Sequence, residues 1–116
     1  MAVIAATNGR QNGAFTVTRT ALGASDTLTY LPRTNQVLEL FNTTASPVVV
    51  TIDGSTSSAA YPVPGTGGTM DLTAGKAVTV PANGTVAIRL DTIAAYLGGT
   101  VAVTGGTGVT AHLYNN

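Results

Sequence analysis

The chain has 116 residues, with five Lys or Arg, five Asp or Glu, one histidine and no cysteine, so its formal net charge is zero and charged residues make up 9%. An ordinary soluble domain carries about 25% charged residues, and the few basic residues here are too scattered to release counterions from a nucleic-acid duplex. Disulfides and thiolate chemistry are excluded outright.

With 44% hydrophobic residues, burial can offset chain entropy, and one independently folding domain is expected. No run approaches the roughly 18 apolar residues of a membrane helix. The expected partners therefore include neither nucleic acid nor membrane.

Residues 1–13 read as an extended N-terminal arm. A short apolar patch containing Val3 and Ile4 is followed by Asn8-Gly9, Arg10 and Asn12-Gly13, two turn signals close together. The arm is expected to dock on a neighbour, so that deleting residues 2–12 leaves melting of the remainder nearly unchanged.

Residues 14–116 follow strand grammar, with short Thr/Val-rich runs of period 2 separated by Gly, Pro, Asn and Ser clusters. Phe15–Arg19 puts Phe15 and Val17 on one face. Ser25–Leu31 places Leu28 and Tyr30 together and stops at Pro32. Gln36–Asn42 sets Leu38 and Leu40 against Val37, Glu39 and Phe41. After the turn Asn42–Pro47, Val48–Ile52 should point Val48, Val50 and Ile52 at the core, and these two runs are expected to form a hairpin. Lys76–Val80 and Thr85–Leu90 flank Ala82-Asn83-Gly84, with Val86, Ile88 and Leu90 on one core-facing side. Thr100–Thr104 and Thr107–Tyr114 read as a closing hairpin across Gly105-Gly106. Asp91–Leu97 is the one helical candidate, capped by Asp91 or Thr92 and stopped at Gly98. The segment Ser55–Thr73, with two prolines, three glycines, Tyr61 and Met70, breaks the rhythm as a long connection.

About eight short strands joined by turns indicate an all-β fold, a single antiparallel β-sandwich of jelly-roll or immunoglobulin-like topology. Strand order is not written in the pattern.

Few residues can carry chemistry. His112 is the only histidine, and alternation places it with Thr110 and Tyr114 on the face opposite Val109, Ala111 and Leu113. A lone histidine without an orienting partner reads as a contact residue rather than a base. Asp26, Glu39, Asp53, Asp71 and Asp91 are spread out, mostly at strand ends where Asp accepts backbone N–H groups. Gly65-Thr66-Gly67-Gly68-Thr69 lacks the Lys-Ser/Thr of a phosphate loop. No catalytic, metal or cofactor residue is assigned. The candidate contact residues are Val3, Ile4, Arg10, Tyr61, Met70, His112 and Tyr114. Sugar binding on an exposed tyrosine such as Tyr61 is the alternative, weakened by the absence of tryptophan.

Taken together, VLELFNTTASPVVVTI (residues 37–52), TAGKAVTVPANGTVAIRL (residues 73–90) and the closing segment 100–114, with a Met-Ala start and no cysteine, resemble the small β-sandwich cement or decoration proteins of tailed-bacteriophage capsids. The resemblance implies a non-enzymatic structural protein, synthesised in the host cytoplasm and bound to the outside of a virion. There it would contact the major capsid protein and copies of itself, as a trimer around local threefold axes.

Overall fold

The structure, a computed structural model, describes residues 3–9, 11, 13–55, 61–62, 68–70, 73 and 75–115. Its strands are β1 (Ala6–Asn8), β2 (Thr20–Ala21), β3 (Ser25–Leu28), β4 (Val37–Asn42), β5 (Val48–Gly54), β6 (Tyr61–Pro62), β7 (Thr69–Met70), β8 (Lys76–Val80), β9 (Thr85–Arg89), β10 (Val101–Thr104) and β11 (Val109–Asn115). A five-stranded sheet runs β1-β11-β4-β9, with β2 also paired to β11, and faces a four-stranded sheet ordered β3-β10-β5-β8. The protein is an all-β sandwich.

The period of 2 decides what lies between the sheets. Along β4, Leu38 and Leu40 are buried while Val37, Glu39 and Phe41 face away, and along β11 Val109, Ala111 and Leu113 are buried in the same way. Val50 and Ile52 of β5, Val80 of β8 and Val101 and Val103 of β10 meet them from the other sheet. Branched side chains at such half-buried pleated positions lose little rotamer freedom that the strand has not already restricted.

Connectivity departs from the hairpins expected. Gln36–Asn42 does not pair with Val48–Ile52: β4 bonds β11 and β9, whereas β5 bonds β10 and β8. The runs either side of Asn83-Gly84 also separate, β8 to one sheet and β9 to the other, and so do β10 and β11. The intervening turns are arches that carry the chain across the core.

Asn42 explains the first arch. Its buried amide donates to the Ser46 carbonyl (2.7 Å) and the Val80 carbonyl (3.1 Å), while its oxygen accepts the Thr44 N–H (2.8 Å). The arches are then stitched together, Asn42 N–H to Gly84 O, Asn83 N–H to Thr44 O and Thr43 N–H to Gly108 O. Because almost every consecutive pair of core strands changes sheet, the wiring is that of a jelly roll. An immunoglobulin sandwich instead keeps several consecutive strands side by side.

The N-terminal arm is likewise corrected. Val3 bridges Thr27 of β3, Ile4 N–H donates to the Thr27 carbonyl (2.8 Å), and Ile4 is 2% exposed within the core. The chain then crosses to the other sheet, where β1 runs parallel to β11, pairing Ala6 with Leu113 and Thr7 with Tyr114. Residues 3–8 thus form a strap over one side of the sandwich, since an apolar Ile4 next to two unfilled strand edges is better buried than solvated. Phe15–Arg19 is not a strand. It leads to β2, and its Thr18 N–H donates to the Thr7 hydroxyl (3.0 Å).

The helical candidate is a short 3₁₀ helix, Leu90–Tyr96, bent at Ile93 and with no side-chain cap at its start. Thr92 bonds back to the Arg89 carbonyl (2.6 Å), and Asp91 turns away to another loop.

Candidate functional site

His112 and Glu39 are register partners on the outer face of the five-stranded sheet, with Nδ1 of the ring 3.1 Å from Oε1 of the carboxylate. Tyr114 lies two residues on, its ring centroid 6.5 Å from that of His112. The alternation that buries Val109, Ala111 and Leu113 turns these residues outward, so the face expected of His112 and Tyr114 is the one observed. The histidine Nε2 is buried without a partner among the described residues. One ring nitrogen therefore sits on Glu39 and the other is closed off, so the imidazole presents neither to an incoming substrate. The pair can hold a charge-assisted contact across β4 and β11 when His112 is protonated.

A second polar cluster closes one end of the sandwich. The Asp91 carboxylate accepts the Tyr30 hydroxyl (2.7 Å) and the backbone N–H groups of Arg33 (3.0 Å) and Asn35 (3.1 Å). Arg33 and Asn35 adopt left-handed backbone angles, φ 63° and 54°, and the carboxylate fixes that uncommon conformation by bonding both N–H groups. The Tyr30 hydrogen bond, followed by the two backbone bonds and the nearby Arg89 charge, holds the Asp91 carboxyl below its ordinary value, against an opposing effect of burial. Burial first, then Asp91, pushes the Tyr30 hydroxyl up to about 12. The Gln36 side chain, also buried, receives the Leu31 N–H and donates to the Thr29 carbonyl and to Asn115. These are loop-holding roles, as is that of Asp26, which is buried and accepts the Gly23 N–H (2.8 Å).

The remaining candidate contacts scatter. Val3 is 68% exposed on the strap, whereas Ile4 is a core residue and is withdrawn as a surface contact. Arg10 lies outside the described residues. Tyr61 and Met70 face one another as register partners of a two-stranded ladder, β6 with β7, inside the long connection. Only their backbone is described. Val3 lies beside β3, whereas His112 and Tyr114 lie on β11 in the other sheet.

Sequence reasoning missed the outer surface of the sheets as a whole. On the four-stranded sheet, the residues alternating with the core include Thr27, Val49, Thr51, Asp53, Thr79, Ala102 and Thr104. Val49 is 53% exposed there, and Phe41 is 38% exposed on the opposite sheet. The signal was present in the sequence as threonine on the polar phase of each strand, but assigning it to one surface needed the strand order.

Among the described residues no three His, Asp or Glu side chains gather in a way that could hold a metal ion. No helix among them is long and apolar enough to cross a membrane. Comparison with protein-family models, with curated proteins and with solved structures finds no match to this chain.

Proposed function

We propose that this chain is a non-enzymatic structural protein of a virion, a cement or decoration protein that docks on the outside of a phage capsid and ties neighbouring capsomers together. The observation that carries the reading is the outer face of the four-stranded sheet, where hydroxyls and small apolar groups occupy nearly every outward position and Asp53 is the one charged member. A protein clamped against a shell must dehydrate such a face, and hydroxyls or methyl groups lose less on dehydration than ions do. The low overall charge, 9% of residues, removes the long-range repulsion that would otherwise keep copies apart on a crowded particle. In this reading the major capsid protein is the principal partner, and the chain is made in the host cytoplasm before it joins the shell.

The test is co-sedimentation of the purified protein with shells of the phage that encodes it, after the resident copies are stripped. Saturable binding is expected, together with a higher temperature for shell disruption. Shells that sediment without the protein at tens of micromolar, where even a weak specific contact is occupied, overturn the proposal.

A further inference from the structure

Among the described residues, the two sheets each end in a strand with a neighbour on one side only: β8 in the four-stranded sheet and β9 in the five-stranded one. These strands are joined by the turn 81–84, in which Gly84 N–H bonds the Pro81 carbonyl (2.9 Å), so both open edges fall on the same side of the sandwich.

The register shows which backbone groups β9 leaves free. Asn42 N–H donates to Gly84 O, and Leu90 N–H donates to Gln36 O. Residues 84, 86, 88 and 90 therefore direct their backbone groups at β4, because antiparallel pairs alternate. Thr85, Ala87 and Arg89 direct theirs outward. All three are exposed, and the outward N–H groups have no partner among the described residues.

Natural sheets guard such edges with lysine, proline, a bulge or a charge. β8 carries Lys76, but β9 carries none of these between Thr85 and Ile88. Its one charge, Arg89, is folded back to Asn35 Oδ1 (3.0 Å) over its own sheet.

We propose that β9 is a self-pairing edge, and that two copies of this chain join antiparallel through it about a twofold axis at Ala87. The strand is self-complementary in that register. Ala87 meets Ala87 of the second copy and exchanges both backbone hydrogen bonds with it. Thr85 meets Arg89 at either end, so the two guanidinium groups lie far apart. Val86 and Ile88, half-buried at the margin of the core, meet one another across the junction and lose their remaining exposure. Phe41, 38% exposed and the register partner of Thr85, lies one strand in from the seam on the outer face. Five paired residues supply less than the roughly 800 Å² per partner of a standard interface, so the dimer is concentration-dependent.

Sedimentation velocity over about 1 μM to 1 mM tests this, with far-UV circular dichroism confirming that each variant folds. Wild type should move from monomer to dimer across the range. Ala87→Pro removes an outward N–H and spares the ladder to β4, as edge prolines do, and Ala87→Lys sets two like charges opposite each other. Each should weaken association more than about tenfold, the scale of a like-charge clash. Mixing Ala87→Lys with Ala87→Glu should restore the dimer. A monomer throughout, a trimer, or a dimer indifferent to all three variants overturns the proposal. It stands apart from the capsid reading: a monomer that co-sediments with shells defeats this inference alone, and a dimer that ignores shells defeats the other alone.

Discussion

The two lateral sides of this sandwich are finished in opposite ways. On one side the chain spends its own N-terminus. Ile4 and its N–H close the flank of β3, β1 lies along β11, and β2 takes the rest of that strand. On the other side β8 and β9 stop at solvent, linked by a four-residue turn and covered by nothing among the described residues. Edge N–H and C=O groups are equally reactive toward another strand wherever they occur. The N-terminal residues quiet one edge, and the described residues leave the other available, which is where association is to be sought.

The strongest way to break that contrast is to remove the strap. Deleting residues 2–8 should cost more than about 5 kcal/mol, comparable with the whole margin of a small domain, because it uncovers the core and reopens the edge of β11 together. Within it, Ile4→Ala alone should cost about 2–4 kcal/mol, as expected for a buried isoleucine. Chemical denaturation of both variants measures this. Melting unchanged by the deletion would restore the reading of residues 1–13 as a dispensable arm.

The next effect belongs to the arches that hold both sides in place. Asn42→Ala removes the amide donor to the Val80 and Ser46 carbonyls and the acceptor of the Thr44 N–H, while the Ser46 carbonyl keeps the Thr44 hydroxyl. The loss expected is about 1–3 kcal/mol, the scale of a buried polar group left unpaired. The same denaturation experiment reads it, and a loss below about 0.5 kcal/mol would show that the arch is set by its backbone alone.

Ile88→Ala sharpens the contrast from the open side. Sequence alternation treats Ile88 like Ile52, yet Ile52 is fully buried whereas Ile88 at the open edge is only half-buried. Truncation should cost about 1 kcal/mol in the monomer, well short of the 2–5 kcal/mol typical of a fully buried isoleucine such as Ile52. Equal losses at the two positions would mean that β9 is covered on both flanks.

The smallest effect is electrostatic and lies at the end shared by both sides. The folded carboxyl of Asp91 titrates below its ordinary value of 3.8, chiefly through the Tyr30 hydroxyl. The unfolded chain therefore binds this proton more tightly than the folded one does. The resulting stabilisation is complete above about pH 4 and drains away as pH falls through the lower folded value. Tyr30 acts at the opposite limit. Its folded value of about 12 exceeds the ordinary 10.0, so its contribution is complete below pH 10.0 and is lost as pH rises toward 12. Melting temperatures of wild type and Asp91→Asn from pH 2 to pH 6 should converge at the acid end. A constant gap between them would remove Asp91 from the account.

Much of the fold was legible. Leu38 and Leu40, Val50 and Ile52, and Val109, Ala111 and Leu113 all declare their buried face by alternation alone. The same rule puts His112 outward, and the turn residues mark where each strand stops. Less of the candidate site could be read. Glu39 stands 73 positions from the histidine it contacts, and the free edge of β9 has no local signature, because an edge is defined by the absence of a neighbour. Ile4 misled for a related reason, since a short apolar patch beside two turn signals looks the same whether it docks on its own chain or on another.

The sequence by itself determined the class of this protein: nearly uncharged, built from strands, each with a face to bury and turns at set intervals. Those properties reside in single residues and in spacings of two. Only the tertiary structure decided that Asn42–Pro47, Ala82–Gly84 and Gly105–Gly106 are arches instead of hairpin turns, that the wiring is a jelly roll, and that one side is strapped while the other stays open. A glycine, asparagine or proline can serve either kind of turn, and the choice falls to whichever strand pairing buries the apolar faces of the whole chain together.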